Sequence, residues 1–168
     1  ETDGALGNSP YSSPSAFAGN HLFISPDDLL ECGLLAATDT AELPPFPGEK
    51  VDYPAVRTVK AKLLARAFER FAPSQEYESF LQRNEHWLCD YALFSALKQR
   101  FCGLSWNQWP DELKLRDGNA LRTAATELRE TTNFLLFKQY LFFSAMERLR
   151  RECDGKGVEL LGDLPIYV

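Results

Sequence analysis

From Ala55 to Glu152 apolar residues recur at intervals of three and four, and only Pro73 and Pro110 interrupt the pattern. That spacing puts one apolar face on each of a series of helices, and it constrains the chain more than any other feature. Val56, Val59, Leu63, Leu64, Ala67, Phe68 and Phe71 form the first such face, which Pro73 closes. Ser74 can cap the next helix, Y-E-S-F-L-Q-R-N. A stronger helix follows, with Trp87, Leu88, Tyr91, Phe94, Leu97 and Phe101 on one side and Gly103 as its stop. A loop carrying Trp106 and Trp109 leads to a short turn after Pro110. Asn119 to Glu152 reads as one long helix, or as two with a break near Thr131 and Thr132.

The flanks differ. Glu1 to Asn20 is rich in Ser, Pro, Gly, Ala and Asn and reads as loop, and His21 to Ser25 reads as a short strand. Ser25 then caps a helix that has Pro26 in its first turn and ends at Gly33. A linker from Ala37 to Pro54 holds Pro44, Pro45 and Pro47, which forbid regular helix there. At the far end V-E-L-L-G-D-L-P-I-Y-V is apolar at most positions, as buried parallel strands are. Strand, long helical stretch, strand is the order of an α/β sheet with an all-helical insert between two of its strands. The chain starts on Glu1 and stops inside that apolar run at Val168, so a piece of a longer protein is expected.

Composition narrows the function. A net charge of −6 argues against a nucleic-acid footprint and against adsorption to anionic membranes. No apolar run approaches the ~20 residues of a membrane span. Cys32, Cys89, Cys102 and Cys153 form no C-x-x-C pair, and His21 and His86 lie far apart, so a metal site is not expected. Four reduced thiols suit a reducing compartment.

Few residues invite chemistry. Glu69, Glu76, Glu127, Glu130 and Glu147 fall on helix surfaces, where solvation is the default. Trp106 and Trp109 lie beside Asn107 and Gln108, a combination that can stack on a sugar and bond its hydroxyls; a lid over the helical core is the plainer reading. Asp163 follows Gly162 in the terminal apolar run, where it either orients a loop or lines a site at a strand end. Tyr11 sits among Ser9, Pro10, Ser12, Ser13 and Pro14. A proline-stiffened loop offering hydroxyls around an aromatic suits a carbohydrate; a turn whose serines bond their own backbone accounts for it as well.

Three stretches together resemble one family. N-S-P-Y-S-S-P-S-A-F-A-G-N with L-F-I-S-P-D-D-L, then H-W-L-C-D-Y-A-L-F-S-A-L-K with W-N-Q-W-P, then K-Q-Y-L-F-F with G-D-L-P-I-Y-V, are similar to segments of the 4-α-glucanotransferases. These are the amylomaltase or disproportionating-enzyme group, glycoside hydrolase family 77. The chain departs from the pattern at His21, where the family has Pro, and at Ala145 and Met146, where it has Gln-Trp.

The resemblance implies an α/β fold: part of a (β/α)8 barrel with a large all-helical insertion, so mostly α in this chain. Residues 1–25 would be active-site loop and barrel strand, 26–156 the insertion and connecting helices, and 157–168 a barrel strand, all within one incomplete catalytic domain. It implies transfer of α-1,4-glucan segments to glucose or a maltooligosaccharide by a retaining double displacement. Ser9 and Tyr11 match positions that contact the glucan; the catalytic carboxylates match nothing in this chain. No metal or organic cofactor is implied. The cytoplasm is the expected compartment, with the plastid as the alternative. The rival readings are a non-catalytic helical carbohydrate-binding or scaffolding module, and a hydrolase of the related α-amylase type.

Overall fold

The computed structural model describes Ser9, residues 13–41 and residues 43–162. All regular structure among the described residues is helical: α1 (Pro26–Glu31), α2 (Ala37–Thr40), α3 (Tyr53–Arg70), α4 (Gln75–Arg83), α5 (Glu85–Arg100), α6 (Asp111–Lys114), α7 (Gly118–Glu127) and α8 (Arg129–Gly155). The chain divides into two compact units, one of residues 1–74 and 138–168, the other of residues 75–137.

In the first unit the helix ends follow the expected chemistry. The Ser25 hydroxyl accepts from the Asp27 N–H at 3.2 Å, and Gly33 takes the left-handed φ of 73° just past α1. Asp52 caps α3 by accepting from the Ala55 N–H at 3.0 Å. Ile24, Leu29, Leu63, Leu64 and Ala67 are buried. Lys60 donates to the Ile24 carbonyl. Desolvation holds the Lys60 ammonium below its ordinary pKa, against the pull of Asp27 and Asp28. Asp39 receives Arg66 at 2.7 Å and Arg70 at 2.5 Å, and it also accepts from the Ala36 N–H at 2.8 Å.

Two expectations need correction here. His21–Phe23 is a turn of 3-10 helix, not a strand. The Asn20 side chain accepts the Leu22 N–H at 3.1 Å, and the Phe23 N–H bonds the Asn20 carbonyl at 3.0 Å. Local bonds of this kind take the groups a strand ladder would need. The linker also holds one helical turn, α2, placed ahead of its prolines. Of the terminal apolar run, residues 158–162 carry no regular structure, and the remainder lies outside the described residues.

The second unit packs around α5. Leu88, Ala92, Ala96 and Leu97 are buried along it, with Trp87 and Tyr91 beside them. Leu97, Trp109 and Ala124 form a cluster against which Leu93, Phe94, Phe101, Leu113 and Leu128 pack. The break between α7 and α8 falls at Leu128, with φ −101° and ψ 17°, ahead of the expected Thr131 and Thr132. Neither Gly nor Pro marks it; Leu128 packs against that cluster. Burial pushes the Tyr77 phenol up to about 12.

Candidate functional site: the Ser9–Asn20 loop

The loop is built from its serines. Ser13 is buried, and its hydroxyl donates to the Ser15 carbonyl at 2.8 Å. The Ser15 hydroxyl accepts from the N–H groups of Phe17 and Ala18, each at 3.2 Å. These bonds are the serine-to-backbone turn that the sequence allows, and they make Ser13 to Ala18 one stiff piece. Ser9 is half-buried. Tyr11, the other expected glucan contact, lies outside the described residues, as does Asp163.

The loop is tied down at Gly19. Its N–H donates to Oε1 of Gln139 at 2.8 Å, and Nε2 of Gln139 donates back to the Gly19 carbonyl at 3.1 Å. Gln139 is 2% exposed. A Cβ on residue 19 would stand 1.9 Å from the Phe142 ring, so only glycine lets the backbone come this close. The motif K-Q-Y-L-F-F contains Gln139, and its signal is a polar pair, Lys138 and Gln139, set in the apolar stretch from Phe134 to Phe143, where a buried amide needs partners.

The remaining candidates separate. Trp109 is a core residue: 6% exposed, it donates Nε1–H to the Leu104 carbonyl at 3.2 Å and packs against Phe94 and Phe101. Trp106 is 54% exposed, at the rim of a cleft of about 320 Å³. Asp90 and Arg116 line the same cleft, and one guanidinium nitrogen of Arg116, Nη2, donates to both carboxylate oxygens of Asp90, at 3.0 and 2.8 Å. In the first unit a cleft of about 410 Å³ is lined by Ile24, Leu29, Phe71, Tyr140, Ser144 and Arg148. Glu69, Glu76, Glu127, Glu130 and Glu147 are all exposed, and Glu127 pairs with Arg100. All four cysteines are free. Among the described residues no three His, Cys, Asp or Glu come together to hold a metal, and no helix is long and apolar enough to cross a membrane.

Comparison with known proteins gives these features a frame. The fold is similar to that of an amylomaltase from Streptococcus agalactiae solved in complex with acarbose, with a TM-score of 0.88 and 30% identity over 96% of this chain and 34% of that one. The sequence model of the 4-alpha-glucanotransferase family matches residues 2–168, and the chain belongs to that family. It is 41% identical to the 4-alpha-glucanotransferase of Aquifex aeolicus and 42% identical to that of Thermus thermophilus, in each case over 96% of this chain. A relative from Oryza sativa, named as chloroplastic/amyloplastic, is 36% identical. The chain spans about a third of the length of these curated relatives: 32% of the Aquifex protein and 33% of the Thermus protein.

Proposed function

We propose that this chain is a section of a 4-α-glucanotransferase and supplies part of its glucan groove. The observation that carries the reading is a stiffened, doubly anchored loop from Ser13 to Asn20, directly after Ser9 and Tyr11, in a chain of this family. Hydrogen bonds of the loop to its own backbone lower the ordering cost when a sugar binds. Ser9 offers a hydroxyl to the glucan, and Tyr11 a ring for a sugar face.

On this reading residues 1–25 and 157–168 belong to a (β/α)8 barrel, and residues 26–156 are the helical insertion and its connections. Exposure supports it: Phe23 is 76% exposed and Leu161 fully so, as expected of side chains that a surrounding barrel would cover. The reaction is retaining transfer. One carboxylate attacks the anomeric carbon and a second protonates the leaving oxygen. The 4-hydroxyl of an acceptor sugar then displaces the enzyme carboxylate, giving its proton to the second carboxylate, which now acts as base. Both carboxylates come from outside this chain. The loop's part is to hold donor and acceptor in line and to keep water from the glycosyl-enzyme. Substrates are α-1,4-glucans and maltooligosaccharides with glucose as acceptor.

The test has two arms. Purified Glu1–Val168 should release no glucose from maltotriose; robust turnover by it would overturn the reading of the chain as a section. In the full-length enzyme, Ser9→Ala and Tyr11→Ala should each raise KM for maltotriose. Unchanged KM in both would remove the loop from the groove.

A further inference from the structure

Gln139 and Phe142 lie three residues apart on α8, hence on one face, and both reach the same residue of the loop. The amide takes both backbone groups of Gly19 across a sequence separation of 120 residues. The ring leaves no room for a side chain there. A side-chain amide offers a donor and an acceptor at once, which a backbone N–H and C=O side by side require.

We propose that Gln139 is a positioning residue for glucan binding, setting where the segment from Ser13 to Asn20, which follows Ser9 and Tyr11 in the chain, stands. This rests on the reading that the loop binds glucan. Ser13 and Ser15 bond residues 13–18 to one another, and Gly19, the next residue, is bonded to a helix. Loosening the attachment shifts the loop without unmaking it. A misplacement of ~1 Å at a positioning element can cost about a hundredfold in rate. Phe142 sets the distance of closest approach from the same helix face, so amide and ring together fix the loop's height.

The experiment uses the full-length enzyme with maltotriose as substrate. Gln139→Leu removes both hydrogen bonds and keeps the volume similar. Gly19→Ala pushes the loop off the Phe142 ring, and Gly19→Ala with Phe142→Ala gives the space back. The first two should raise KM about tenfold or more and lower kcat/KM by ~10–100-fold, in protein that is folded by circular dichroism. The double variant should recover most of the loss of Gly19→Ala. Hydrogen exchange across residues 13–20 should quicken in Gln139→Leu whatever the activity. A fall in kcat matching the loss of folded enzyme, with KM unchanged, would mean a merely structural role and overturn the proposal. So would unchanged exchange in Gln139→Leu. Faster exchange in Gln139→Leu, together with an unsubstituted enzyme that does not disproportionate maltotriose at all, would sink the glucanotransferase reading, and with it this role, while leaving the clamp itself standing.

Discussion

The two tryptophans of W-N-Q-W-P should behave in opposite ways when truncated. Trp109 is 6% exposed and Trp106 is 54% exposed. A buried aromatic of this kind removes ~150–250 Å² from water, worth about 4–6 kcal/mol at ~25 cal/mol/Å². The Phe94 and Phe101 rings, with centroids 5.4 and 5.5 Å away, add to that. Partial collapse of the site offsets some of it, so Trp109→Ala should cost about 3–5 kcal/mol. The lost hydrogen bond matters less, because a single neutral hydrogen bond contributes only about 1 kcal/mol net. Trp109→Phe should therefore cost only about 1 kcal/mol, and Trp106→Ala at most about 1 kcal/mol. The assay is thermal unfolding followed by far-UV circular dichroism and tryptophan fluorescence. In a unit of this size each kcal/mol moves the midpoint by ~4–8 °C, so Trp109→Ala should drop it by ~12 °C or more and Trp106→Ala by a few degrees. Equal shifts for the two alanine variants would refute the assignment of Trp109 to the core and Trp106 to the rim.

Other expectations follow from single residues. Leu64 is 1% exposed in the first unit, and Leu64→Ala should cost about 2–5 kcal/mol in denaturant unfolding. Ser25→Ala removes the α1 cap and should cost about 1 kcal/mol by the same measurement. Arg70 beside Asp39, with the Ala36 N–H and Arg66, holds that carboxyl well below the usual carboxylate range. Its contribution is therefore present above the unfolded value near ~4 and is lost as pH falls through the lower folded value. Asp39→Asn should flatten the acid limb of the stability profile; an unchanged limb would contradict the pairing. Cys32, Cys89 and Cys102 are exposed, but burial of the Cys89 sulfur, with Glu85 and Asp90 nearby, raises its pKa. At pH 8 Cys89 should react with a disulfide reagent more slowly than Cys32 or Cys102, as peptide mapping would show.

Much of the helical part was legible because periodicity and capping agree. Ser25, Pro26 and Gly33 bound α1, and of the faces the three-and-four spacing predicts, Leu63, Leu64 and Ala67 of α3 and Trp87, Leu88, Tyr91 and Leu97 of α5 are buried while the rest are half-buried. What failed was governed by contacts remote in sequence or by competing local bonds. No Gly or Pro near 128 announces a break, and Leu128 there packs against the cluster of Leu97, Trp109 and Ala124. His21–Phe23 looked extended from its apolar residues, yet the Asn20 side chain turns the backbone there. Trp106 and Trp109 share a motif, and only the fold separates rim from core. At the site, the sequence allows either a carbohydrate platform or a serine-bonded turn, and Ser13 and Ser15 do bond the backbone, whereas the Gln139–Gly19 pair joins residues too far apart for any local pattern to show.

We propose that the full-length enzyme of which this chain is a section transfers glucan and does not hydrolyse it. The most direct measurement incubates the full-length enzyme with maltotriose and isotopically labelled glucose, and follows the label. The account predicts label entering maltooligosaccharides of increasing length, joined through α-1,4 bonds, with no net gain of reducing ends. Label that stays in free glucose while reducing ends accumulate would contradict it.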